Sequence, residues 1–131
     1  MFTTKIHPRV SETDGLGHIN NTTLPIWFEA GRDGIFKIFT PDLSFKRWRC
    51  VILKMEVEYL AQLYYGTPVY IKTWVAKIGN KSFELYEEIH QNNQCCARGK
   101  AVYVNYDVET STSLSIPDEV RVELNRHTVS S

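Results

Sequence analysis

Residues Trp27 to Phe39 read WFEAGRDGIFKIF, and the apolar positions Trp27, Phe28, Ala30, Ile35, Phe36, Ile38 and Phe39 cover most of a helical wheel rather than one stripe. A helix patterned this way has to be surrounded by protein, so the sequence predicts one long central helix. The polar run Asn20-Asn21-Thr22-Thr23 supplies N-cap chemistry at its start. Pro25 is tolerated because it falls in the first turn, where an N–H has no intrahelical partner. Pro41-Asp42 marks the end. Gly31 and Gly34 each cost about 1 kcal/mol relative to Ala inside a helix, which implies that a neighbouring backbone passes close to them.

Outward from this helix the period changes to two. Val51, Leu53, Met55, Val57 and Tyr59 alternate with Ile52, Lys54, Glu56 and Glu58, the pattern of a half-buried strand. A second strand, Val69 to Lys77, is punctuated by Gly66-Thr67-Pro68 and Gly79-Asn80. Ser82 to His90 and Cys95 to Tyr106 are two more, joined by a hairpin loop at Gln91-Asn92-Asn93-Gln94. Thr3 to Ser11 is expected as a further strand, placed at an edge or bulge by Pro8. Pro117 to Arg126 reads as a short helix with Asp118 and Glu119 near its positive end. The order implies an α+β fold over residues 1–131, an antiparallel sheet wrapped around one long central helix. Tyr70, Trp74, Tyr86 and Val102 fall on its outer face and are too apolar for simple exposure, so a homo-oligomer is expected.

The 131 residues carry 15 Lys+Arg against 15 Asp+Glu, with 43% hydrophobic content. A chain of this length buries roughly two-thirds of its unfolded surface and needs neither disulfides nor a structural metal. Balanced charge removes the excess of cations that drives nucleic-acid binding, and no nucleic-acid partner is expected. Cys50, Cys95 and Cys96 make no even framework and read as reduced thiols of a cytoplasmic protein. No stretch approaches the roughly 20 apolar residues of a membrane span. His7, His18, His90 and His127 are scattered and Cys95-Cys96 is not a C-x-x-C pair, so no metal site is expected. Gly15-Leu16-Gly17 lacks the third glycine of a dinucleotide fingerprint.

Chemistry concentrates in Ser11-Glu12-Thr13-Asp14-Gly15-Leu16-Gly17-His18-Ile19-Asn20-Asn21, between the first strand and the helix start. Taken singly, Asp14 reads as a turn residue, His18 as a packing residue, and Asn20 and Asn21 as caps. Together they place a carboxylate, two glycines and a histidine beside free backbone N–H groups at the positive end of a helix. Such a site can stabilise negative charge developing on a carbonyl oxygen. No G-x-S-x-G elbow is present.

ETDGLGHINN followed by WFEAGR (Trp27 to Arg32) resembles the D-x-x-G-H-x-N-N…F-E-x-A-R signature of hotdog-fold acyl-CoA thioesterases of the 4-hydroxybenzoyl-CoA thioesterase type. Leu60 to Thr67, Ile78 to Ser82 and Arg98 to Ala101 resemble further segments of that family. The departures are Leu24-Pro25, where the family often has a tyrosine, and Glu12 at the first acidic position.

The resemblance implies that Asp14 acts as nucleophile or general base, that the Asn21 backbone N–H polarises the thioester carbonyl, and that Gly17 permits close approach. His18 and Asn20 would shape the site, and Glu29 would match a helix carboxylate that is structural or catalytic in different branches of the family, the structural role being favoured here. It further implies a site at a subunit interface, in a homodimer or a dimer-of-dimers homotetramer. Coenzyme A would be part of the substrate rather than a cofactor. Lys77, Lys81, Arg98 and Lys100 are candidates for its phosphates, and Leu24, Trp27 and Phe28 for its acyl chain, although core packing also explains the last three. Alternatives are an acyl-carrier-protein thioesterase and a non-catalytic acyl-CoA-binding domain.

Overall fold

The computed structural model describes residues 1–129. Five strands, β1 (Phe2–Ile6), β2 (Cys50–Tyr59), β3 (Val69–Ile78), β4 (Ser82–Gln91) and β5 (Gln94–Asp107), form an antiparallel sheet in the order β1-β3-β4-β5-β2. A two-residue strand, β6 (Thr112–Ser113), pairs with the end of β5. The helical layer, α1 (Leu24–Ala30) and α2 (Asp33–Phe39), packs inside the curl, and α3 (Asp118–Asn125) closes one end. This is the hotdog arrangement that the resemblance implies.

Strict alternation along β4 puts Phe83, Leu85, Glu87, Ile89 and Gln91 inside and their neighbours outside. Two apolar clusters fill the interior. Trp27 and Phe28 meet Val69, Ile71 and Ile89 in one. Ile35 and Phe36 meet Val75, Phe83, Leu85 and Leu124 in the other. Trp74 pairs across strands with Tyr86 on the outer face, their rings 5.6 Å apart, and Tyr70 and Val102 lie on the same face. No helix among the described residues is long and apolar enough to cross a membrane.

Four expectations are corrected. The long central helix is two seven-residue helices that break at Gly31-Arg32. The Thr73 hydroxyl donates to the Gly31 carbonyl at 3.0 Å, capturing the acceptor that the next turn would use. The helix is also not enclosed within the chain: Ile26, Glu29 and Ala30 of α1 are exposed. What approaches the helical glycines is side chain, not backbone, with a Cβ on Gly31 falling 2.6 Å from Ile71 Cγ2 and one on Gly34 meeting the Phe2 ring. Finally, the first strand ends at Ile6, and after Pro8 residues Val10–Glu12 form a 3-10 turn.

Strand β2 keeps its alternation only through a shift in register between Ile52 and Lys54. Ile52 then faces inward opposite Tyr103, together with Met55, Val57 and Tyr59, while Val51 faces out opposite Val104. The far edge of β2 is unpaired among the described residues, and Ile52, Leu53 and Tyr59 remain exposed along it.

Candidate active site

The loop after the first 3-10 turn is closed on itself and sewn to the segment preceding β3. The Asp14 N–H donates to the His18 carbonyl at 2.9 Å, and Thr13 bridges to Ile19. Gly15 and Gly17 adopt φ of 91° and 86°, which side chains with a Cβ resist. The Ile19 N–H reaches the Leu63 carbonyl at 2.8 Å, and the Tyr65 N–H reaches the Gly17 carbonyl at 2.9 Å. The receiving segment is held in turn by the buried Gln91 amide, which accepts from the Tyr64 N–H and donates to the Tyr64 and Thr67 carbonyls.

Within this frame the Asp14 carboxylate is 38% exposed. Its Oδ1 accepts from the Leu16 N–H at 2.9 Å, and its Oδ2 lies 3.5 Å from His18 Nδ1. The Leu16 N–H lowers the Asp14 carboxyl from its ordinary value; partial desolvation opposes this, and His18 reinforces it. The group is therefore a carboxylate at neutral pH. His18 packs edge-on to Tyr64, with ring centroids 5.2 Å apart.

Asn20 is the cap that the sequence predicts, its Oδ1 accepting from the Thr22 N–H at 3.0 Å and the Thr22 hydroxyl at 2.9 Å. The turn it caps, Asn21–Thr23, leads directly into α1. Asn21 opens that turn, so its N–H has no acceptor within it. An open groove of about 590 Å³ runs past Asn21 between Ile19, Leu24 and the stretch Tyr59 to Leu63. The Tyr59 hydroxyl donates to the Asn21 carbonyl at 3.3 Å.

The remaining candidates divide. Leu24 lines the groove, whereas Trp27 and Phe28 are buried in the core and do not reach it. Arg98 and Lys100 flank a smaller outer groove of about 260 Å³ with Glu56 and Glu58, their cross-strand partners. Both Nε and one terminal nitrogen of Arg98 contact the Glu58 carboxylate at 3.3 Å. Lys81 joins neither: it precedes Ser82, which stands opposite Val104, so six strand residues or roughly 20 Å of β5 separate it from Arg98. Lys77 is also at that end, opposite Glu84. Glu29 is exposed beside a groove shared with Ile26, Asp33, Phe45 and Trp48 rather than bracing the core.

Several residues escaped the sequence reading. Glu12 is buried and accepts from the Trp27 indole at 2.9 Å and from the Arg9 N–H at 2.7 Å, while its carbonyl accepts from the Asn20 N–H at 2.8 Å. Arg32 turns inward at the helix break and meets Glu87 at 2.7 Å through two nitrogens, with Tyr103 Oη at 2.9 Å from a third. An acidic residue at an inward position of β4 was the available signal for that pair. One group of metal-capable side chains is also gathered among the described residues: Glu88, His90 and Cys95.

The sequence profile of the thioesterase-like superfamily matches residues 8–124. The chain belongs to that superfamily. YsmA of Bacillus subtilis (strain 168), an uncharacterized protein, is 32% identical over 126 residues, which span 94% of this chain and 84% of YsmA. A predicted thioesterase from Bacillus stearothermophilus superimposes with a TM-score of 0.96 at 60% identity, covering 99% of this chain and 98% of that one. A Thermus thermophilus thioesterase, complexed with coenzyme A and Zn, shares the fold with a TM-score of 0.83 at 24% identity, over 94% of this chain and 96% of that one. Along the chain, the Asp14 loop runs through Ile19 and the Asn20 cap into the Asn21 turn, and of these Ile19 and Asn21 line the groove.

Proposed function

We propose that the chain is an acyl-CoA thioesterase of the 4-hydroxybenzoyl-CoA thioesterase type, converting a thioester and water to free coenzyme A and a carboxylic acid. The observation that carries this reading is the Asp14 carboxylate, held ionised by the Leu16 N–H on a rigid loop that leads into the Asn21 turn. A thioester carbonyl is already electrophilic and a thiolate leaves readily, so a carboxylate and a polarising N–H suffice without a triad. Asp14 acts in one of two ways. Its oxygen attacks the carbonyl carbon, the C–S bond breaks to release the coenzyme A thiolate, and water hydrolyses the resulting anhydride. Otherwise it takes a proton from water, whose oxygen makes the attack. In both, the Asn21 N–H faces the oxyanion.

The acyl group occupies the groove walled by Ile19, Leu24, Leu60 and Leu63. Asp14 does not line that groove within the single chain; Tyr59 and Leu60 form an exposed apolar rim on it, and Leu16, Tyr64 and Tyr65 are exposed on the Asp14 loop and the segment that holds it. A second copy of the chain covers that rim and completes the site, as a homodimer or homotetramer. Coenzyme A is substrate here, not a resident cofactor, and the fold accommodates it in the T. thermophilus protein.

The test is thiol release from a panel of acyl-CoA and aryl-CoA esters, with acyl-carrier-protein thioesters in parallel, comparing the wild type with Asp14→Asn. Turnover of coenzyme A esters that is lost in the variant is expected. Release from carrier-protein thioesters alone would move the substrate class. Saturable acyl-CoA binding with no thiol release from any ester would overturn the catalytic reading.

A further inference from the structure

The hairpin joining β4 and β5 gathers three side chains that the Asp14 site does not use. His90 and Cys95 stand directly opposite each other across the two strands, and Glu88 lies two residues back from His90 on the same face. His90 Nε2 is 2.8 Å from Glu88 Oε1, and the ligand atoms of all three residues fall within 4.8 Å of one another.

We propose that Glu88, His90 and Cys95 form a binding site for one borderline-soft divalent cation of the Zn²⁺ class. The donor set is a thiol sulfur, an imidazole nitrogen and a carboxylate oxygen, the three ligand types zinc takes from proteins. With bonds of about 2.0–2.3 Å, tetrahedral coordination sets ligand atoms roughly 3.3–3.6 Å apart. No pair therefore has to close by more than about 1.5 Å, while the His90–Glu88 pair, at 2.8 Å, opens slightly. On binding, the Cys95 S–H bond breaks and its proton goes to solvent as the sulfur–metal bond forms. His90 gives up its Nε2 hydrogen bond to Glu88 and binds as the tautomer with its hydrogen on Nδ1, through the Nε2 lone pair, and water takes the fourth position.

Three features show a site built rather than scattered. The register of β4 and β5 shifts between Ile89 and His90, so that Cys96 and Ala97 both turn into the core while Cys95 stays on the outer face beside His90. Bulges re-aim side chains in this way. The Tyr86 hydroxyl donates to Glu88 Oε2 at 2.6 Å, which fixes the carboxylate from outside the ligand set and leaves Oε1 for the ion. His90 and Glu88 are 20% and 22% exposed, enclosed enough to lose bulk water yet open to entry beside Asn92 and Asn93. Of the two cations in register with Glu88, Arg98 is committed to Glu58, which leaves Lys72 at the margin. The Cys95 thiol meanwhile donates one hydrogen bond among the described residues, to the Ala97 carbonyl at 3.4 Å.

The experiment uses the full chain without a polyhistidine tag, and its readouts are independent of thioester hydrolysis. Co²⁺ titration of the wild type is expected to give a near-ultraviolet thiolate-to-cobalt band that saturates at one ion per chain and is displaced by Zn²⁺. Cys95→Ser abolishes the band, and His90→Ala weakens Zn²⁺ affinity by about tenfold or more. In the wild type, Zn²⁺ slows maleimide labelling of Cys95, mapped by mass spectrometry, so the result does not depend on a variant folding. No thiolate band in the wild type, a band that survives in Cys95→Ser, or labelling of Cys95 that ignores Zn²⁺ would each overturn the site.

Discussion

The Trp27 indole donates to Glu12 Oε2 at 2.9 Å, while the Glu12 carbonyl accepts from the Asn20 N–H at 2.8 Å. One acidic residue thus fastens the core of α1 to both ends of the Asp14 loop. The side chain anchors the loop's start, the backbone carbonyl closes its end, and Gly15 and Gly17 turn the chain between them.

Glu12→Ala leaves the Trp27 N–H buried without an acceptor and is expected to destabilise the chain by about 1–3 kcal/mol in urea unfolding. Burial alone would push the Glu12 carboxyl up, but hydrogen bonds from Arg9 and Trp27 outweigh it and hold the group below its ordinary value. A carboxyl depressed by folding stabilises above its unfolded pKa, about 4.3, and loses that contribution as pH falls through the depressed value. The stability gap between wild type and Glu12→Ala therefore narrows on acidification below that range. A constant gap would show that Glu12 acts by packing alone.

Asp14→Asn keeps an oxygen for the Leu16 N–H and so keeps the loop, yet removes the charge. Thiol release is expected to fall about 10²- to 10⁴-fold with acyl-CoA affinity retained, measured by turnover and by equilibrium binding. Because the Leu16 N–H lowers the Asp14 carboxyl, the acid limb of the wild-type kcat/KM profile lies below the ordinary aspartate value of about 3.9. The profile should be flat from there toward neutrality. An acid limb near pH ~6 would instead mark a histidine.

Arg32 and Glu87 are 1% and 0% exposed, and they pair at the helix break. Glu87→Gln strands a buried guanidinium and is expected to cost about 3–5 kcal/mol by denaturant unfolding. Replacing both partners, Arg32→Met with Glu87→Leu, should cost much less, since an apolar pair of similar volume removes both desolvation penalties. Equal losses in the single and double variants would refute this account.

Gly31→Ala drives a Cβ to 2.6 Å from Ile71 Cγ2 and 3.0 Å from Thr73 Oγ1, both in the packed interior. The expected destabilisation is about 1–3 kcal/mol, against the gain that Ala brings to an unobstructed helix. A melting temperature at or above the wild type's would show that β3 yields.

Much of the fold was legible because strand periodicity is local. Alternation in Ser82 to His90 is enough to orient every side chain of β4, and two asparagines between two such runs mark a hairpin whose turn residues, Asn92 and Asn93, take positive φ. The Asp14 loop was legible for the same reason, since its glycines and cap are read within a few residues of one another. The groove wall from Tyr59 to Leu63 was not, because it is brought to Asn21 by hydrogen bonds from a distant loop and by Gln91.

The sequence by itself determined the four long strands β2 to β5, the Asn20 cap ahead of the helical layer, and that the Asp14 loop precedes that cap in the chain. Tertiary structure decided the rest. The helix breaks where Thr73, on another strand, takes the Gly31 carbonyl, and Arg32 turns inward because Glu87 waits on β4. His90 and Cys95 meet because a shift in register turns Cys96 into the core. In each case a backbone or side-chain group has two possible partners, and which one wins depends on residues far along the chain that packing alone brings near.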